Sequence, residues 1–286
     1  MKKTVSILGG DLRQVYLAQQ LLEEGWDVMT WGLEGGGGPA GVPLDRALGR
    51  DILLLPMPPV GPDGQLCLPL TDSTLAAEDL WPRLQSGQLL LGGRIGGLGQ
   101  RLMETYGLTL LDYYSREEVQ VANAVPTAEG AIQRAMEATA GTIWGSKCLV
   151  LGFGRIGKVL AHRLQGLGAR VTVAARRPED LAWAWAYGYD CLPVKDIDGA
   201  LGAFQLIFNT APAPLLDARR LEQVGEQCLV VELASAPGGV DERAAEGLGR
   251  QVLVARGLPG QVAPRAAAAA IRLGVFHILE ERGELS

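Results

Sequence analysis

The sequence predicts an α/β protein of two Rossmann-like, doubly wound parallel-sheet domains with an interdomain cleft. Three observations predict it. Short apolar runs alternate with amphipathic stretches twice along the 286 residues, a helix-like segment separates the two series, and a glycine turn spaced GxGxxG opens the second. With 48% hydrophobic and 20% charged residues, the chain can bury ordinary globular cores.

In the first series, Thr4–Leu8, Val28–Trp31, Asp51–Leu55, Leu89–Leu91 and Leu108–Leu111 read as strands, with Leu12–Glu24 and Gln100–Tyr106 as amphipathic helices. Met1–Gly10 runs straight into the first strand and turn, without the long apolar stretch and small-residue cleavage site of a signal peptide. The segment Ile7-Leu8-Gly9-Gly10-Asp11-Leu12-Arg13-Gln14 is a decayed glycine turn. Its third glycine is missing, and Asp11 sets a carboxylate where a pyrophosphate would be repelled, so no second nucleotide is expected there. Arg13, one turn into the helix, is either a solvated surface residue or a clamp for a substrate carboxylate. The run Gly35–Gly38 has no following Lys-Ser/Thr, so it is no P-loop and reads as a flexible surface loop. Ser115-Arg116-Glu117-Glu118 has capping-box spacing, which leaves Arg116 as a second candidate carboxylate clamp. Tyr113 and Tyr114 either line the cleft or pack at a strand end.

Between the series, Thr127 is placed to cap a linking helix over 126–142, with Glu129 favoured in its first turn. The domains then run 1–125 plus 264–286 for substrate and 143–263 for coenzyme, because the alanine-rich closing helix from Pro264 is expected to return to the first domain.

The second series has strands at Cys148–Leu151, Arg170–Ala174, Leu206–Asn209, Leu229–Leu233 and Val252–Ala255. Gly152-Phe153-Gly154-Arg155-Ile156-Gly157 follows the first of these and opens a helix. In such a turn Gly152 makes the bend, Gly154 lets a pyrophosphate approach and Gly157 permits close helix–strand packing, while the amides of Arg155 and Ile156 face the phosphates. The acid that would bind the ribose hydroxyls of NAD is missing from the second strand's end. Arg176 and Arg177 stand there instead, which points to the 2′-phosphate of NADP. Ligands of such folds collect at the carboxyl ends of the strands, so Asn209, Thr210, Pro212, Ala234, Ser235 and Gly257 are assigned to the coenzyme. Gly257-Leu258-Pro259-Gly260 reads as a loop at the nicotinamide edge.

Composition narrows the function classes. A net charge of −6 argues against nucleic acid or an anionic membrane as the main partner, and no apolar run is long enough to span a bilayer, so a cytoplasmic protein is expected. Four dispersed cysteines without a CxxC pair read as reduced thiols buried as small hydrophobes. Two histidines, His162 and His277, are too few for a histidine-centred metal site or a Ser/His/Asp triad, and no metal is implied.

The stretches Asn123–Ile132, Gly145-Ser146, Leu151–Gly157, Glu232–Asp241 and Gly257–Pro264, with Gly9–Gln14, resemble the A subunits of dipicolinate synthase. The resemblance is strong from about 120 to 270 and sparser over 30–110. It implies NADP-dependent oxidation of dihydrodipicolinate or 4-hydroxytetrahydrodipicolinate to dipicolinate, on a branch of the lysine pathway serving endospore formation in the mother-cell cytoplasm. Its implied partner is a flavoprotein-like B subunit, with room for a homodimer within the complex. The substrate dianion would fall to Arg13, Arg116, Asn123, Pro259 and Gly260. Two other readings stay open. One is a D-2-hydroxyacid or alanine dehydrogenase-like oxidoreductase, although the former place a histidine late in the coenzyme domain and this chain has none between His162 and His277. The other is a non-catalytic NADP-binding sensor protein.

Overall fold

The computed structural model describes residues 4–285; the first three residues, on which part of the signal-peptide reading falls, lie outside the described residues. The chain divides into two units, Met1–Asn123 with Ala263–Ser286, and Ala124–Val262.

In the first unit, strands β1 (Thr4–Leu8), β2 (Asp27–Trp31), β3 (Ile52–Leu54), β4 (Leu89–Gly92) and β5 (Thr109–Asp112) form a parallel sheet ordered β2-β1-β3-β4-β5. Alternation along each strand feeds two cores. Ile7, Leu54, Leu89 and Leu91 point to one, and Leu8, Leu53 and Leu90 to the other. Helix α1 (Leu12–Glu23) covers the first face with Val15, Leu17, Ala18 and Leu21. The other face packs on α2 (Leu44–Leu48), α3 (Ala77–Leu80) and α4 (Leu98–Tyr106).

Helix α5 (Glu117–Ala138) differs from the expected 126–142 at both ends. The Asp112 carboxylate accepts from the amides of Tyr114 and Ser115 at 2.7 and 3.2 Å, shaping a 3-10 turn from which the helix starts. Ser115 therefore does not cap it; its hydroxyl donates back to Asp112 O at 2.8 Å. Thr127 is a buried mid-helix residue rather than a cap, and Pro126 sits inside the helix, where it offers no N–H to the carbonyl of Ala122. At the other end the Thr139 hydroxyl donates to Ala135 O at 2.8 Å, taking up a carbonyl of the last turn.

The glycine run is no loose loop. Gly35 N donates to Leu70 O at 2.7 Å, and a Cβ at Gly36 or Gly38 would lie 2.6 or 2.8 Å from Val15. These glycines permit close packing on α1.

The second unit holds β6 (Lys147–Leu151), α6 (Arg155–Gly166), β7 (Arg170–Ala175), α7 (Pro178–Ala186), β8 (Asp190–Pro193), β9 (Leu206–Asn209), α8 (Ala218–Leu221), β10 (Leu229–Glu232), α9 (Glu242–Gly247), β11 (Gln251–Val254) and α10 (Leu258–Val262). Cys148 and Val150 face one core, Leu149 and Leu151 the other. The edge strand β8 has no apolar run to announce it, since Asp190 and Cys191 are exposed and it ends at Pro193. The expected loop over 257–260 is instead the start of α10, because Leu258 buries its side chain and packs close to Gly130. The closing helix α11 (Pro264–Glu281) joins the first unit and packs against α1 through Ala268, Ile271 and Val275.

The cysteines divide. Burial pushes the Cys148 and Cys228 thiols up to about 12, whereas Cys191 is exposed and Cys67 half-buried. Among the described residues no helix is long and apolar enough to cross a membrane.

Candidate coenzyme site

The second sheet is ordered β11-β10-β9-β6-β7-β8 and is parallel throughout. Chain order reverses between β6 and β9, and the crevice outside the carboxyl ends of those two strands is where open α/β sheets bind ligands. The glycine turn lies there, and its three glycines have different reasons to be glycine. Gly152 has φ +95°, and a Cβ on it would lie 2.7 Å from Thr210 Oγ1. A Cβ on Gly157 would lie 2.2 Å from Gly152 O. Both are internal packing requirements. Gly154 differs: it is exposed, and a Cβ there would meet nothing within 4 Å. Its backbone is open to an incoming group.

Gly154 is also the N-cap of α6. No side chain caps this helix end, and its first turn carries no acid. The orphan amides and the positive end of the helix dipole are left for an anion. Arg155 is exposed and Ile156 half-buried beside them. These residues fit the pyrophosphate of a dinucleotide.

At the end of β7 the two arginines part ways. Arg177 is forked onto Asp180 at 2.7 and 2.8 Å, and this neighbour raises the guanidinium's already high pKa. Arg176 is exposed and makes no ion pair or side-chain hydrogen bond among the described residues. At the end of β9, the Thr210 hydroxyl donates to Leu151 O at 2.9 Å and Gly152 O at 3.3 Å, tying this strand end to the glycine turn. Pro212 is exposed just beyond. Asn209 is fully buried, with its amide bonded to both oxygens of Glu232 at 3.0 Å. At the end of β10, Ala234 is buried and Ser235 exposed; past β11, Gly257 is exposed with φ +71°. Glu232 was no candidate from the sequence, where it reads as one more residue of an apolar run.

Residues 4–114 match the family described as the N-terminal domain of the A subunit of dipicolinate synthase, and residues 108–247 the NAD-binding domain of D-isomer specific 2-hydroxyacid dehydrogenases. The dipicolinate synthase A subunit of Bacillus subtilis is 28% identical over 270 residues, covering 92% of this chain and 91% of that protein. The crystal structure of the A subunit from Bacillus halodurans superposes with a TM-score of 0.88 at 28% identity, covering 97% of each chain. That of the Bacillus subtilis protein superposes with a TM-score of 0.87 at 27% identity, over 100% of this chain and 98% of the other. The chain is similar to dipicolinate synthase A subunits along nearly its whole length. Its second unit is a nicotinamide-dinucleotide-binding Rossmann domain of the dehydrogenase type.

The residues expected to hold substrate are placed as follows. Arg13 is held on Asp11 through Nε and Nη2 at 2.8 to 3.1 Å, with Nη2 also donating to Met57 O at 3.2 Å. Its side chain is only 15% exposed, and Asp11 answers as the N-cap of α1 in a full capping box with Gln14. The Arg13 guanidinium outweighs burial and lowers the Asp11 carboxyl's pKa. Nη1 of Arg13 makes no hydrogen bond among the described residues. Arg116 spends all three nitrogens, Nε on Glu118 at 2.5 Å and both Nη on Glu281 at 2.9 and 2.6 Å. With His277 adding a contact at 2.9 Å, this network holds the Glu118 carboxyl down at about 2. Asn123 is half-buried in α5; Pro259 is buried within α10 and Gly260 half-buried there. Tyr113 is fully buried and donates to Leu55 O at 3.3 Å, so it packs at a strand end.

Proposed function

We propose that this chain is the NADP-dependent oxidoreductase subunit that converts dihydrodipicolinate or 4-hydroxytetrahydrodipicolinate to dipicolinate during endospore formation. The observation that carries the coenzyme part is the open Gly154 backbone at an uncapped α6 N-terminus, with an unpaired Arg176 at the adjoining strand end. The similarity to dipicolinate synthase A subunits supports the substrate class. When bound, the nicotinamide ring supplies a hydride acceptor; the protein's part is to hold and orient. The α6 amides take the pyrophosphate, Arg176 takes the 2′-phosphate, and Thr210 keeps the glycine turn against the β9 end. Arg13, rigidly aimed by Asp11 and with Nη1 uncommitted, is the better candidate for a substrate carboxylate; Arg116 is already neutralised by two acids.

Aromatisation of the dihydro ring releases one hydride and one proton, and the hydroxylated precursor also loses water. None of the coenzyme-site side chains described above is a histidine. The proton falls to water, to the substrate's own leaving hydroxyl or to groups of a flavoprotein-like B subunit, and the chain works as half of an enzyme in the mother-cell cytoplasm. A homodimer within that complex is part of the same reading.

Two measurements test this. Arg176→Ala is expected to raise the Kd of NADP about tenfold or more, the equivalent of ~1.4 kcal/mol. NAD binding should be spared, and Arg177→Ala should do much less, since Asp180 already engages that side chain. Equal affinity of the parent for NADP and NAD would reject the phosphate assignment. In the second, the chain, its B-type partner and the dihydrodipicolinate mixture are combined with NADP, and the pyridine product is followed by absorbance. Dipicolinate should form well above the level with this chain alone, and Arg13→Gln should raise KM while Arg116→Gln leaves it near the parent's. No product under any combination would favour the sensor reading; full turnover without the partner would favour a self-sufficient dehydrogenase.

A further inference from the structure

Among the described residues Glu232 is the only acidic or basic side chain that is fully buried, at 0% exposure. A carboxylate inside a sheet domain is costly unless donors surround it. They do. Asn209 Nδ2 donates to both oxygens at 3.0 Å, Ala234 N to one at 2.8 Å, and Gly239 N and Val240 N to the other at 2.8 and 2.9 Å. Every partner is an N–H, so the acceptor-only ionised form satisfies all of them. No cation pairs with it among the described residues; Arg256, on the adjoining strand end, pairs with Glu242 at 3.2 Å instead.

The donors come from three segments at the carboxyl edge of the sheet: the end of β9, the end of β10, and the turn at 239–240. Fit between them is tight, since a Cβ on Gly239 would lie 2.4 Å from Ala213 O and 2.5 Å from Asn209 Nδ2. Asn209 Oδ1 in turn accepts from Ala211 N at 3.3 Å, and Thr210 next to it grips the glycine turn. One carboxylate thus fastens together the strand ends over which a dinucleotide extends from that turn. A neutral amide or hydroxyl could have tied fewer of these donors; a full negative charge also leaves a field at the site.

Resting on the coenzyme reading above, we propose that Glu232 is a positioning residue with an electrostatic part. It locks 209–213 and 234–240 into one wall of the coenzyme site, and its buried charge favours the cationic, oxidised nicotinamide over the neutral, reduced ring. That bias suits a protein working in the oxidising direction, which must load NADP+ and release NADPH.

The test is a pair of fluorescence or calorimetric titrations on the full chain, one with NADP+ and one with NADPH. The parent should bind NADP+ more tightly than NADPH. In Glu232→Gln, the NADP+ Kd should rise about tenfold more than the NADPH Kd, a change of ~1.4 kcal/mol in the difference. A merely structural role would weaken both forms alike and leave the ratio unmoved. Exchanging the pair, Asn209→Asp with Glu232→Gln, returns one negative charge to the same place and should restore the parent's ratio. Tighter binding of NADPH by the parent overturns the electrostatic part, and so does an unchanged ratio in Glu232→Gln. If that variant loses its fold, the parent's own ratio still decides. Absence of binding by either form would remove the coenzyme reading itself, which is a different failure.

Discussion

Gly154→Val is expected to lower dinucleotide affinity by at least about a hundredfold, ~2.8 kcal/mol, while leaving the thermal midpoint of the apoprotein essentially where it was. The two halves of that expectation come from one observation. A Cβ on Gly154 meets no protein atom within 4 Å, so the new side chain strains nothing inside the domain. Its backbone is in the extended region at φ −78° and ψ −161°, which valine adopts readily. The space it would fill lies at the uncapped end of α6, on the path of an anion approaching the amides of the first turn. Titration with NADP and a melting curve on the same sample check both halves. Binding equal to the parent's would place the coenzyme elsewhere, and a collapsed melting curve would mean that Gly154 is a packing glycine like its neighbours.

Gly157→Val should do the reverse and damage the fold before binding can be measured. Here a Cβ would sit 2.2 Å from Gly152 O and 3.0 Å from Gly152 C, backbone against backbone, with Thr210 Oγ1 at 3.3 Å. Helix α6 cannot retreat without pulling Leu160, Ala161 and Leu164 out of the core, all of which are 0% exposed. Overpacking of a core costs ~1–3 kcal/mol where side chains can shift, and this contact offers no flexible side chain to give way. A loss of about 3 kcal/mol or more is a large part of the ~5–15 kcal/mol that holds a domain together. Thermal or urea unfolding followed by circular dichroism reads it; a midpoint within a degree or two of the parent's would show that α6 can ride away from β6 freely.

What could be read from the chain and what could not follows from how far apart the partners are. The ten strands expected from apolar runs, the glycine turn and the closing helix are local patterns. Period-two burial, a GxGxxG spacing and an alanine-rich run each state their structure within about a dozen residues. β8 escaped because an exposed edge strand ending in Pro193 carries no such period. The start of α5 escaped because Asp112, itself the end of β5, accepts from the amides of Tyr114 and Ser115 and shapes the turn from which the helix starts.

The sequence by itself determined the doubly wound class, the position of the glycine turn at Gly152–Gly157 and the resemblance to dipicolinate synthase A subunits. Only the tertiary structure decided which charged groups are available for chemistry. Arg116 is spent on Glu281, which lies at the far end of the chain, whereas Arg13 is held by Asp11 and the carbonyl of Met57 with Nη1 left uncommitted. Arg177 closes on Asp180, while Arg176 beside it stays open. Glu232 is fixed by donors on β9, past the end of β10 and in the following turn, and the apolar run around it does not announce that a carboxylate there will be fully paired. Periodicity reports which face of an element is buried. An ion pair depends on where two side chains end in space, and a buried charge is tolerable only once folding has brought its donors together.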